Sequence, residues 1–98
     1  MNTFKQQVID GSHQGTPLKD LGLRGRGVVH VHESDLIQMI DRSSRVLRKD
    51  AERFLEVLNT AQDVEGRKLK GHLLVRRAPI CSKARAWLEE RDVRVEQV

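Results

Sequence analysis

Residues 34–61 read SDLIQMIDRSSRVLRKDAERFLEVLNTA, and the folding of this stretch decides the architecture of the 98-residue chain. Leu36, Ile40, Leu47, Ala51, Phe54 and Leu58 recur at steps of three, four or seven. That spacing places them on one face of an α-helix. Ile37, Val46 and Leu55 widen the stripe, while Asp41, Arg45, Arg48, Glu52 and Glu56 fall largely on the opposite side. A single unbroken helix would run about 40 Å, long for a domain of this size. Asp41-Arg42-Ser43-Ser44 interrupts the stripe with polar residues of middling helix propensity. The expectation is therefore two helices, at about 34–42 and 48–61, with Ser34 as N-cap and a break near 42–47. Such a helix pair would build the core or a dimer interface.

Downstream, Asp63 to Gly66 reads as a turn, and Lys68 to Arg77 alternates. Leu69, Leu73 and Val75 point one way and Lys70, His72 and Arg76 the other, with Leu74 out of pattern. This is an amphipathic strand with a basic outer face. Ala78-Pro79 ends it, because proline cannot donate to the ladder. Ser82 can cap a helix over about 83–91, with Ala84, Trp87 and Leu88 buried and Arg85 and Glu89 paired one turn apart. Val93 and Val95 imply a last short strand.

Upstream, Val28 to His32 alternates and is β-branched, which implies a short strand with Val29 and Val31 on one face. His30 and His32 share the other face and, followed by Glu33 and Asp35, are chemically capable of holding a metal, although an exposed polar strand face is the preferred reading. Structural zinc sites need four converging ligands, and one cysteine with two histidines falls short of that. Residues 1–27 hold five of the seven glycines and read as a partly flexible N-terminal extension to a single compact domain at 28–98. Within the extension, Phe4, Val8 and Ile9 can form a short helical turn that docks on the body. Thr16-Pro17 can start a short helix that Gly22 ends. Arg24-Gly25-Arg26-Gly27 is flexible and cationic, and reads as a linker in preference to an arm that touches phosphate.

The charge is uneven. The chain carries +4 overall, but residues 1–32 hold +2, residues 33–65 hold −3 and residues 66–98 hold +5. Arg67, Lys68, Lys70, Arg76, Arg77, Lys83 and Arg85 follow one another with no carboxylate between them. Such a run is a solvated face, a polyanion-binding surface, since clustered Lys and Arg displace counterions from a phosphate backbone, or a surface for an acidic protein. Three aromatic residues are too few for a base-stacking platform, so a duplex is favoured over a single strand. One cysteine, Cys81, excludes an internal disulfide framework and fits a reducing cytoplasm. No apolar run approaches membrane-spanning length, and the N-terminus lacks a secretory pattern. A cytoplasmic location is expected.

The run S-D-L-I-Q-M-I followed by S-S-R-V-L-R-K-D-A-E-R-F-L, within residues 34–55, resembles the opening helix pair of the HU/IHF histone-like DNA-bending proteins. In that family a leucine-isoleucine pair and a later isoleucine pack the first helix, and a motif like Lys49-Asp50-Ala51 begins the second. Gly66-Arg67-Lys68-Leu69-Lys70-Gly71-His72 looks like the start of the family's strand. Ala78-Pro79 with Lys83 and Ala86 is similar to its approach to the closing helix. The likeness implies a helical dimerisation core and a cationic DNA-binding surface. The family's long β-arm, with its intercalating proline, has no counterpart here, and residues 1–32 have no equivalent.

A second likeness joins Leu73-Leu74-Val75 to Ala78-Pro79-Ile80-Cys81-Ser82-Lys83-Ala84, which looks like a glutaredoxin strand, turn and helix. The active thiol of such enzymes is the first cysteine of the turn, a position held here by Ala78. Cys81 is then a half-buried packing residue. No nucleophile with its base and no phosphate-binding glycine loop between strand and helix is present.

Taken together, the residues predict a small α+β, helix-rich domain: a helix pair packed on a short sheet, with a C-terminal helix. The expected function is non-enzymatic binding of nucleic acid, with duplex DNA favoured, by a homodimer. Arg67, Lys68, Lys70, Arg76, Arg77, Lys83 and Arg85 would contact phosphates, with no cofactor and no metal. The alternative is a small modulator or inhibitor that binds another protein, a component of a nucleic-acid-processing machine being one such target.

Overall fold

Leu36 and Ile40 lie four residues apart, and four is the one spacing that serves both a helix and a strand. In a strand, residues an even number apart also share a face. The computed structural model, which describes residues 3–25 and 27–98, resolves this ambiguity in favour of the strand. Asp35–Asp41 is strand β3, not the first helix of a pair. Leu36 and Ile40 face one side, where Leu36 is fully buried, and Ile37 and Met39 face the other. A strand covered on both faces carries a near-continuous apolar run and loses the clean alternation by which strands are recognised. Ser34 is accordingly not a helix cap. It sits with Glu33 in a tight turn, where Glu33 takes φ 55, between β2 (Val28–His32) and the antiparallel β3.

The break expected near 42–47 is present, and the second helix starts where expected. Helix α2 spans Arg48–Glu65 and buries Ala51, Phe54, Val57, Leu58 and Ala61 along one face. It continues through the expected turn at 63–65 and stops at Gly66, whose φ of 69 suits the left-handed cap. Each large side chain it buries contributes about 1.5–3 kcal/mol before conformational entropy is counted. Leu47, expected within the stripe, is instead exposed at the N-cap, and Val46 takes the interior position. Of the two helices in the HU/IHF-like run, only the second forms. The apolar stripe is used inside the chain.

From α2 the chain returns as β4 (Lys70–Arg76), parallel to β3, with Ile37 opposite His72 and Met39 opposite Leu74. Gly71 lies directly under α2. A Cβ there would sit 2.9 Å from Leu58 Cδ2 and 3.2 Å from Phe54 Cε2, so the missing side chain sets how closely helix and sheet approach. Helix α3 (Ser82–Glu89) then crosses back to β5 (Arg94–Gln97), parallel to β4. The helix expected at 83–91 is thus placed one residue early and two residues short. Its expected Arg85–Glu89 pair does not form, because Arg85 reaches the Val95 carbonyl instead. Helices α2 and α3 share one face of the sheet, and the guanidinium groups of Arg48 and Arg91 both lie over the Trp87 ring.

The N-terminal segment completes both layers. Helix α1 (Phe4–Asp10) packs on the opposite face, where Val8 meets Ile37 and Leu74. This explains why Leu74 breaks the alternation of β4: the face shared with His72 and Arg76 is partly roofed and is not an open basic surface. Thr16–Pro17 forms a two-residue strand, β1, beside β2. A 3-10 turn at Leu18–Leu21 follows, ended by Gly22, and buries Leu18 in the main core. The stretch read as an extension therefore supplies Val8 and Leu18 to the interior. Arg26 of the expected linker lies outside the described residues, while the neighbouring Arg24 carbonyl accepts a hydrogen bond from Arg53. The sheet order is β1-β2-β3-β4-β5, and the fold is α+β with a C-terminal helix, as the sequence implies. Among the described residues no helix is long and apolar enough to cross a membrane.

Candidate nucleic-acid interface

Because β3 and β4 are parallel, both deliver the chain to the same end of the sheet, and both following helices begin there. The two loops are stitched together. Val46 pairs with Ile80 as an isolated bridge, with Val46 N–H donating to Pro79 O at 2.9 Å and Cys81 N–H to Val46 O at 3.0 Å. Residues 41–50 and 76–83 carry seven basic and two acidic side chains, a local +5 that exceeds the +4 of the whole chain.

Both carboxylates at this end are already engaged. Asp50 binds Arg42 (Nη2 to Oδ2 at 2.6 Å) and accepts the Leu47 N–H at 2.8 Å, closing the first turn of α2. Burial raises the Asp50 pKa, but the Arg42 hydrogen bond, the Leu47 N–H and nearby cations outweigh it and hold the group below its ordinary 3.8. Asp41 binds Arg77 at 2.7 Å. Among the described residues, Arg45, Lys49 and Lys83 form no ion pair and are exposed.

The strand, turn and helix suggested by the glutaredoxin likeness do form, with Cys81 as N-cap of α3. The N–H groups of Ala84 and Lys83 lower the thiol pKa below its ordinary 9.0. Burial opposes this, and the Arg45 and Lys83 cations lower it further.

The seven cations singled out in the sequence do not form one surface. Arg76, Arg77 and Lys83 stand at this end, with Arg85 further along α3. Arg67, Lys68 and Lys70 stand at the other end of β4, about 20 Å away at some 3.3 Å per residue. Several are also engaged: Arg76 reaches the Ile9 carbonyl, Arg77 holds Asp41 and Arg67 holds Glu65. Arg45 and Lys49 were not singled out. Reading 35–41 as a strand would have found them, since loops that follow parallel strands gather at one end of a sheet.

The histidines of β2 share the α1 face, as expected, where the Phe4 ring packs against His32 and His13 and the His13 ring against His30. His30 is buried, its Nδ1 2.9 Å from Nδ1 of His13, while His32 lies beside Glu33 at 3.9 Å. No family model, curated protein or solved structure matches the chain.

Proposed function

We propose that the protein binds nucleic acid without catalysis, holding duplex phosphates on the edge that carries Arg45, Lys49, Arg77 and Lys83. The observation that supports this reading is the +5 concentrated in 18 residues by the Val46–Ile80 stitch, with its two carboxylates already engaged. Helix starts and cations bind phosphate oxygens and carry no base information, so the binding is expected to be largely indifferent to sequence. Arg76 and Arg85 border this edge, while Arg67, Lys68 and Lys70 take a secondary part.

A salt titration of binding to a mixed-sequence duplex tests the proposal. With roughly four phosphates neutralised, affinity falls roughly 100-fold between 50 and 200 mM salt. An affinity that stays flat contradicts it. A single protein retained from lysate after nuclease treatment would favour an acidic protein surface as the partner.

A further inference from the structure

At the opposite end of the sheet, the beginnings of β3, β4 and β5 and the first turn of α1 enclose a different chemistry. A cavity of about 330 Å³ lies between α1 and the sheet, and one of about 550 Å³ adjoins it; the two share Asp35, His72 and Arg94. Strand register makes the arrangement. Asp35 is opposite Lys70, Ile37 opposite His72 and His72 opposite Arg94, so all five side chains project to the α1 face.

The polar groups here divide into engaged and free. Asp35 Oδ1 lies 3.2 Å from His72 Nε2, which fixes the ring. Lys5 holds Glu96 at 2.7 Å and closes one wall. Arg94 and Lys70 form no ion pair among the described residues. Phe4 and Ile37 supply an apolar wall. Asp92, held at φ 60, places one further carboxylate on the rim of the larger cavity.

The geometry points to a binding site for a phosphomonoester with a flat organic body, the chemistry of a nucleoside 5′-phosphate. Two unpaired cations beside an oriented imidazole match a phosphate dianion better than a single carboxylate. The guanidinium of Arg94 offers the planar fork that binds two phosphate oxygens at once. Inorganic phosphate alone would leave the wall of Phe4 and Ile37 uncovered, and the Asp92 carboxylate suits a hydroxyl or amine donor on the ligand's body. This site is separate from the cationic edge at the far ends of the strands and does not depend on duplex binding there.

Titration of the full chain with adenosine 5′-monophosphate, adenosine and inorganic phosphate tests the assignment. The mononucleotide is expected to bind at least about tenfold more tightly than either fragment. Arg94→Gln, a change at an exposed position, should weaken it at least about tenfold, as should His72→Gln. Lys19→Gln, a change at an exposed cation outside both sites, should leave it unchanged. Equal affinity for adenosine and its monophosphate, no saturable binding, or undiminished binding by Arg94→Gln would overturn the assignment. A 5′-phosphorylated strand captured more tightly than the same strand with a 5′-hydroxyl, with the difference lost in Arg94→Gln, assigns the site to strand ends, and no such difference assigns it to free nucleotides. Duplex binding that survives in Arg94→Gln while mononucleotide binding is lost keeps the two sites distinct.

Discussion

Val46 and Ile80 pair across two loops that are 34 residues apart in the chain, and this bridge brings the starts of α2 and α3 side by side. Val46 is fully buried. Val46→Ala removes two methyl groups' worth of packing and is expected to cost about 1–3 kcal/mol, read by thermal or urea unfolding. The loops should also splay, so duplex affinity should fall in the variant even at temperatures where it is fully folded.

Gly71 sets the approach of α2 to the sheet. Gly71→Val drives a branched side chain into Leu58 and Phe54, and the expected loss is about 1–3 kcal/mol. Pairing it with Leu58→Ala should recover part of that loss, because the smaller residue vacates the space. Urea unfolding of the two single variants and the double variant checks this, and strict additivity would contradict the contact.

Asp50 ties the first turn of α2 to Arg42. Asp50→Ala is expected to cost about 0.5–2 kcal/mol, as loss of a helix cap does. Since its folded pKa lies below the ordinary 3.8, its contribution is present above that pH and is lost as pH falls through the folded value. Asp50→Asn should therefore differ from the parent at neutral pH and converge with it in acid.

His30 carries the pH dependence nearer neutrality. Burial, and then the charge of His13 beside it, lower its pKa below 6.5. The unfolded chain binds the proton more readily, so stability is full above pH 6.5 and falls as pH drops through 6.5 toward the folded value. The melting temperature is expected to fall between pH 7.5 and 5.5, and His30→Gln should flatten that slope.

How much of this was legible in the sequence depends on period. Strand β2, the start of α2, the proline stop after β4 and the last strand all carry one unambiguous pattern and were readable. Residues 35–41 were not, because Leu36 and Ile40 satisfy both periods and Ile37 and Met39 fill the other face under α1. That one ambiguity decides which cations are neighbours. With 35–41 taken as a helix, the downstream cations read as one run. With it as a strand, the parallel register divides them between two ends and recruits Arg45 and Lys49.

The most direct test of the account compares two triple variants in duplex binding across a range of salt. Arg45→Gln, Lys49→Gln and Lys83→Gln together should reduce the slope of log affinity against log salt by about 2.7. Arg67→Gln, Lys68→Gln and Lys70→Gln, an equal loss of charge at the other end of the sheet, should change it far less. Equal effects, or a larger effect from the second set, would contradict the assignment of the phosphate contacts to the edge where α2 and α3 begin.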